Sequence, residues 1–91
     1  MTRLDPHTLE TLRAALEMEY GAPITTKGDC DALSHAIRRR LLSETVSSQT
    51  LRRLFGLIPG NKSGFETGTL TILARYLGMQ DHEELLELMR K

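Results

Sequence analysis

One short segment of the chain combines a serine, a glutamine and two arginines at spacings suited to a single helix face. Ser47 can accept a hydrogen bond from the free N–H groups of a first turn, so it predicts a helix start. Successive side chains then rotate by about 100°. If Leu51 points inward, Gln49, Arg52 and Arg53 point outward. Arginine pairs with guanine edges or phosphates and glutamine pairs with adenine, so this face has groups suited to reading DNA.

The flanks of the same predicted helix, residues 47–58, carry hydroxyl groups. Ser48 and Thr50 lie beside the outward face, and short hydroxyl side chains near a helix start can bind phosphate. Gly56 on the outer face either lets the helix approach a phosphate closely or begins helix termination. The alternative interpretation of the whole face is an ordinary solvated helix surface.

The bulk composition is that of one small globular domain spanning residues 1–91. The chain is 40% hydrophobic and 26% charged, which argues against disorder. It has no tryptophan and few other aromatic residues, so we expect an aliphatic core built mainly from leucine. Its one cysteine, Cys30, cannot form an internal disulfide and is expected to be a small buried apolar residue rather than a reactive thiol.

Charge is distributed unevenly along a chain whose net charge is zero. Residues 27–62 hold seven basic and three acidic residues, a net charge of +4. The segments 1–26 and 63–91 each carry a net charge of −2. Zero net charge argues against a purely electrostatic grip on nucleic acid, but a basic centre between acidic ends is the pattern that a nucleic-acid footprint leaves.

Cap and stop signals predict five helices and no strand. The first opens with Asp5 as cap and Pro6 at its first position, and ends at Gly21. The second begins near Asp29 and carries an inward stripe, followed by a short polar break at 43–46. The residues of that stripe are Cys30, Leu33, Ile37 and Leu41, with Ala36 beside them.

The second half of the chain continues this helical pattern. After the helix at 47–58, a loop is expected at 59–64, rich in Pro, Gly and Asn. A fourth helix starts around Glu66–Thr67 and stops at Gly78, and Asp81 with Glu84 forms a capping box for a fifth. The sequence therefore predicts an all-α fold, a compact five-helix bundle containing a helix-turn-helix.

Two blocks of sequence resemble the lambda-repressor-like (Cro/C1, Xre-type) helix-turn-helix family. Val46–Leu54, reading VSSQTLRRL, matches the turn and recognition helix, and Thr69–Gly78, reading TLTILARYLG, matches the helix that braces it. The likeness covers roughly residues 29–79, with the helix-turn-helix at about 30–58 and the bracing helix at about 66–78. The family implies a helical bundle that places its second motif helix in the major groove, often as a dimer on a palindromic site.

The resemblance also implies which side chains meet DNA. Ser48, Gln49, Arg52 and Arg53 would face bases or phosphates, and Ser47 and Thr50 would touch the backbone near the helix start. Independently of the resemblance, further phosphate contacts are expected from Arg38, Arg39, Arg40 and Lys62. The three arginines equally suit a helix C-terminus as complements of its dipole, and Lys62 equally suits a solubilising loop position.

Other chemistries find no support in the sequence. His7, His35 and His82 are scattered without a second ligand at metal spacing, so no metal site is expected. We find no carboxylate pair, no Ser/His/Asp grouping and no Gly-rich phosphate loop, and so expect no enzyme, no cofactor and no small-molecule substrate. Without a membrane span or a targeting segment, the expectation is a cytoplasmic protein that does not enter membranes.

The C-terminal segment carries more large apolar residues than so short a helix can bury. We expect most of them to be core and at least one to point outward, where it can form a homodimer contact. The residues concerned are Leu85, Leu86, Leu88 and Met89.

The sequence thus favours a sequence-specific binder of double-stranded DNA, either a transcriptional regulator or an accessory protein of a mobile element. The alternative is a helical adaptor that binds another protein through the third helix or the leucine-rich C-terminus. Binding of structured RNA would use the same basic patch, but the chain lacks an exposed aromatic platform for single strands.

Overall fold

The architecture is helical, with one very short sheet joining two distant points of the chain. We describe it from a computed structural model that covers residues 2–42, 44–58 and 64–91. The elements in chain order are β1 (Thr2–Arg3), α1 (Pro6–Tyr20), α2 (Lys27–Leu41), α3 (Ser48–Leu54), β2 (Gly64–Phe65), α4 (Thr67–Tyr76) and α5 (His82–Met89). The predicted all-α five-helix fold is confirmed.

The small sheet corrects the expectation that the chain has no strand. β1 and β2 pair antiparallel, with Thr2 opposite Phe65 and Arg3 opposite Gly64. Strands of two residues are too short to show the alternating pattern by which a strand is recognised in a sequence. Of the predicted loop at 59–64, the structure describes Gly64, which lies in β2 rather than in a loop; the rest lies outside the described residues.

The first two helices begin at side-chain caps. Asp5 accepts a hydrogen bond from the backbone N–H of Thr8 at 2.7 Å, as its predicted role requires. Helix α2 begins at Lys27, two residues before Asp29, near which its start was predicted. Thr26 is the cap: its hydroxyl accepts from Asp29 N–H at 3.1 Å, and the Asp29 carboxylate accepts from Thr26 N–H at 2.9 Å. This reciprocal pair satisfies two free donors and moves the helix start to Lys27.

The break between α2 and α3 is less polar than predicted, because its last residue is part of the core. Val46 is 3% exposed, and its carbonyl accepts a hydrogen bond from the Ser34 hydroxyl at 2.7 Å. The Thr45 hydroxyl donates to the Ser34 carbonyl at 2.6 Å. These bonds tie the turn to the middle of α2, while Ser43 of the predicted break lies outside the described residues.

Helix α3 is shorter than predicted and ends at Leu54, a full turn before the expected end. The N–H of Gly56 donates to the carbonyl of Arg53 at 3.1 Å, and the N–H of Leu57 donates to that of Arg52 at 2.8 Å. This pair of bonds requires a left-handed residue, which Gly56 supplies with φ of 72°. Gly56 therefore terminates the helix, one of the two roles expected of it.

The last two helices follow their predicted starts. Helix α4 begins at Thr67 and ends at Tyr76, slightly before the Gly78 stop signal. Asp81 caps α5 by accepting from Glu84 N–H at 3.0 Å. The predicted capping box is not closed, since the Glu84 carboxylate accepts instead from the N–H of Gln80 at 3.1 Å.

The core is mainly leucine, as expected, and it gathers residues from every helix. Helix α2 packs against α3 and α4, and α5 packs against α1 and α4. Phe65 of β2 is fully buried among the aliphatic side chains, and Tyr76 is 2% exposed. Of the inward stripe predicted for α2, Cys30, Leu33 and Ile37 are fully buried; Leu41 and Ala36 are half-buried at the edge of the core.

Candidate nucleic-acid interface

Helix α3 presents the predicted polar face only in part. Leu51 and Leu54 are fully buried against the rest of the bundle. Gln49 on the opposite side is exposed, which agrees with its predicted orientation. Arg52 and Arg53 are half-buried, because both side chains fold back onto neighbouring elements.

Arg52 forms an ion pair with the first half of α2. Its terminal nitrogen Nη2 lies 3.2 Å from the Oδ1 atom of Asp31, and the two side chains are 28% and 53% exposed. The same carboxylate oxygen accepts a hydrogen bond from the hydroxyl of Ser48, at the start of α3. The Nε atom of Arg52 is buried and has no hydrogen-bond partner among the residues described. One acidic residue of α2 thus holds two of the predicted DNA-contacting residues.

The electrostatics of Asp31 follow from these contacts. The hydrogen bond from Ser48 and the nearby charge of Arg52 lower the pKa of Asp31 below its usual value of 3.8. The carboxylate is therefore ionised at neutral pH and forms a charge-assisted contact with the guanidinium. Burial has the opposite effect on the adjacent thiol and raises the pKa of Cys30. This thiol therefore stays protonated, in keeping with the packing role predicted for it.

Arg53 packs on an aromatic ring. Its guanidinium carbon lies 4.8 Å from the centroid of the Phe65 ring in β2, within the range of a cation–π contact. Because Phe65 is fully buried, Arg53 covers part of the core while remaining at the surface. The contact ties α3 to the small sheet.

A third arginine fixes the other end of the helix. Arg13 of α1 donates from Nε to the carbonyl oxygen of Leu54 at 2.6 Å and forms an ion pair with Glu10 at 3.1 Å. A Cβ atom added to Gly56 would lie 3.3 Å from the same guanidinium. Leu54 is the last residue of α3, so its carbonyl has no partner within the helix and is satisfied by α1 instead.

The hydroxyl groups expected to touch phosphates are engaged within the chain. Ser47 caps α3 by accepting from Thr50 N–H at 3.2 Å, and its hydroxyl donates to the Thr50 hydroxyl at 2.9 Å. Ser48 donates to Asp31. These bonds shape the first turn, and Gln49 is the predicted contact residue of α3 that stands most open to solvent.

The predicted phosphate contacts separate into two groups. Arg38 and Arg39 are exposed on the last turn of α2. Arg40 instead joins three helices: it lies 3.0 Å from Glu19, donates to the carbonyl of Tyr76 at 2.8 Å and stacks over the Tyr76 ring. Its part in the fold leaves it less available than its two neighbours. Lys62 lies outside the described residues.

The C-terminal helix buries most of the residues considered for a homodimer contact. Leu85, Leu86 and Met89 are 0%, 8% and 7% exposed and belong to the core of this chain. Leu88 is 45% exposed and is the outward residue that the sequence predicted. A homodimer through this helix would therefore meet at Leu88, because the other three already pack within the protomer.

The sequence identifies the polar face of α3 but not the residues that hold it. In the sequence, Asp31 reads as an acidic residue that complements the helix dipole near the start of α2. Nothing in the sequence around Arg13 indicates that it contacts α3. Their partners lie 21 and 41 residues away in the chain, so no local spacing reveals them. The position of α3 depends on these distant contacts as much as on its own leucines.

Within residues 2–42, 44–58 and 64–91, no group of three His, Cys, Asp or Glu side chains is placed to hold a metal ion. No helix in the same ranges has the length and apolar character to cross a membrane. Comparison with known proteins gives no match to a family model, to a curated protein or to a solved structure.

Proposed function

We propose that the protein binds double-stranded DNA with α3 in the major groove, and that it acts as a sequence-specific regulator or as an accessory protein of a mobile element. The observation that supports this best is the placement of α3: a short, capped helix held from three sides, with Gln49 exposed at its front. A helix that reads bases must be held rigidly by the rest of the fold and must present a hydrogen-bonding side chain outward, because contacts to base edges depend on fixed geometry.

The size and surroundings of α3 suit this role. An α-helix with its side chains is about 10–12 Å across, and the major groove is about 12 Å wide, so a helix such as α3 can enter it. Arg52 and Arg53 follow Gln49 by one turn of α3 and are half-buried, and Arg38 and Arg39 lie exposed on the helix that packs against α3. Gln49 would pair with adenine, the arginines with guanine or phosphate, and two protomers would occupy paired half-sites.

The test begins with selection of bound duplexes from a random pool, using the wild-type chain. We then expect Gln49→Ala to weaken binding to the selected duplex by about 5- to 150-fold, since a good bidentate base contact is worth about 1–3 kcal/mol. Gln49 is exposed, so this change leaves the fold intact. Fluorescence anisotropy with a labelled duplex measures the loss.

A double change of Arg52→Ala and Arg53→Ala should abolish binding altogether. The matched control is Arg90→Ala with Lys91→Ala, which removes the same charge from the exposed C-terminal end, beyond α5. Circular dichroism of each variant checks that helicity is retained. Retained affinity in both Gln49→Ala and the double arginine variant would show that α3 is not the reading element.

A helical adaptor that binds a protein partner is the second candidate. The engagement of Arg52 and Arg53 within the chain favours it, as does Met18, a large apolar side chain that is 84% exposed on α1. Retention on heparin or nonspecific DNA at low salt separates the two functions. An adaptor with zero net charge passes through the column, whereas a DNA-binding protein is retained and elutes with salt.

A further inference from the structure

Asp31 is an acidic residue on the surface where the proposed function places DNA. It lies in the first half of α2, is 53% exposed, and reaches across to α3. A carboxylate at this place repels phosphates and weakens general attraction to DNA. Its position therefore calls for a compensating role, and its two contacts, with Ser48 and Arg52, indicate what that role is.

We infer that Asp31 is a positioning residue that holds the Arg52 guanidinium in place to read a guanine, an inference that rests on the proposed DNA-binding function. Arginine has a long, flexible side chain, and ordering it on binding costs free energy. The contact between Nη2 and Asp31 removes much of that freedom before DNA arrives. A guanidinium fixed in this way presents a rigid fork to the O6 and N7 acceptors of guanine.

The burial of one nitrogen of Arg52 limits which of its atoms can contact a base. The Nε atom is buried, so the edge that carries it faces the protein. A base must therefore be met by the terminal nitrogens, which is the end that Asp31 orients. Ser48 donates to the same carboxylate oxygen and fixes it relative to the first turn of α3. The three residues form one unit that joins α2 to the reading helix.

This role separates specificity from general affinity. Removal of the charge in Asp31→Asn reduces repulsion of phosphates, so binding to an unrelated duplex strengthens. The same change releases the Arg52 guanidinium, so recognition of guanine weakens. A residue that only supports the fold would weaken both kinds of binding, and a residue that only masks Arg52 would weaken neither.

The experiment compares binding to three kinds of duplex. The first is the duplex selected by the wild-type chain, the second is a series of copies of it that each carry 7-deazaguanine in place of one guanine, and the third is an unrelated sequence. Replacing N7 removes one acceptor of the arginine contact. We expect Asp31→Asn to reduce the preference for guanine over 7-deazaguanine at one position by roughly three- to tenfold. This loss corresponds to the cost of ordering one flexible side chain on binding. Affinity for the unrelated duplex should rise.

Two controls test whether the effect depends on the contact between Asp31 and Arg52. Glu44→Gln removes a similar negative charge from the α2–α3 turn, where the carboxylate contacts Arg75 rather than Arg52, and should leave the guanine preference unchanged. In an Arg52→Ala background, Asp31→Asn should no longer alter that preference. An additive effect of the two changes would overturn the inference, because it would place Asp31 outside the arginine contact.

The outcomes are distinct from failure of the proposed function. If the wild-type chain prefers no duplex over another, DNA reading itself fails and the role of Asp31 fails with it. If the wild-type chain does select a duplex, three results would overturn the inference alone. Asp31→Asn could leave the guanine preference unchanged, or it could raise or lower the affinity for all the duplexes together. The selected site could also lack a guanine contact.

Discussion

Leu42 adopts a backbone conformation that leucine rarely takes. It follows the last residue of α2 with φ of 67° and ψ of −43°, and its side chain is 85% exposed. Among the residues the structure describes, no other non-glycine residue has a positive φ. Such conformations cost about 1–3 kcal/mol and persist only where the surroundings impose them. Here the Thr45 and Ser34 hydrogen bonds hold the turn that follows.

We predict that Leu42→Gly stabilises the protein by about 1 kcal/mol. Glycine relieves the strain of a positive φ, and its greater freedom in the unfolded chain offsets about 0.4–1 kcal/mol of that gain. For a domain of this size the melting temperature should rise by about 4–8 °C. Thermal melts followed by circular dichroism measure the shift.

Alanine at the same position supplies the control. Leu42→Ala keeps the strain and loses little packing, because the leucine side chain is mostly exposed. It should melt close to the wild-type temperature. Equal melting temperatures for the glycine and alanine variants would contradict the assignment of strain to this residue.

At the scale of single elements, α3 depends on contacts outside itself. A helix of seven residues is too short to be stable alone, so tertiary contacts must hold it. Leu51 and Leu54 bury its inner side, and the Arg13 guanidinium satisfies the final carbonyl. The rigidity of the proposed reading helix therefore depends on these contacts, the bond from Arg13 of α1 among them.

We predict that Arg13→Met destabilises the protein by about 1–2 kcal/mol, because methionine keeps much of the apolar stem but cannot donate to the carbonyl of Leu54. Glu10→Gln is the matched control. It removes the ion pair between Arg13 and the 74% exposed side chain of Glu10, which is worth less than about 0.5 kcal/mol at such exposure. Urea denaturation of both variants gives the comparison, and equal destabilisation would contradict a special role for the bond to Leu54.

Helix starts can be predicted from the sequence where the cap lies next to the helix. Ser47 and Asp81 bond to backbone groups three residues ahead, and this spacing is visible in the chain itself. The start predicted near Asp29 is two residues late, because Asp29 and Thr26 exchange two hydrogen bonds and either residue type is an acceptable cap. Choosing between them requires knowing which peptide groups are already helical.

For the candidate site, the sequence predicts which side of α3 is polar but not which contacts its side chains form. Periodicity places Arg52 and Arg53 away from Leu51, but it does not say where a long side chain goes next. Asp31 and Phe65 receive these arginines through contacts set by how α2 and β2 pack against α3. The availability of each cation to a ligand is thus a tertiary property. The exposure of Gln49 is easier to predict, because its shorter side chain reaches no neighbour that buries it.

At the scale of the whole molecule, the size of the chain limits how two protomers would be arranged in the proposed DNA complex. The chain extends over 29 × 28 × 22 Å measured between Cα atoms. Half-sites one helical turn apart are separated by about 34–36 Å. In the proposed complex, two protomers of this size would lie in successive major grooves on one side of a duplex, close enough for their side chains to meet. Such a pair requires little shared surface, which fits a C-terminal helix that leaves Leu88 as its outward leucine.

The charge pattern of the whole molecule leads to a prediction about salt. With zero net charge, attraction to DNA must come from the local basic surface, and Arg38 and Arg39 are its exposed members on α2. Each phosphate contact contributes about −0.9 to the slope of log K against log salt concentration. We predict that Arg38→Gln with Arg39→Gln makes this slope shallower by about 1.8, while the preferred sequence stays the same because phosphates carry no sequence information.

Titration of the selected duplex at several salt concentrations measures the slope, and repeated selection checks the preference. Arg90→Gln with Lys91→Gln removes the same charge from two exposed residues that are not among the proposed phosphate contacts, and should leave the slope unchanged. Weaker helix-dipole complementarity at the end of α2 costs about 0.3–1 kcal/mol of stability, which a thermal melt measures separately from binding. Equal slopes in the two double variants would contradict the placement of α2's last turn beside the phosphates.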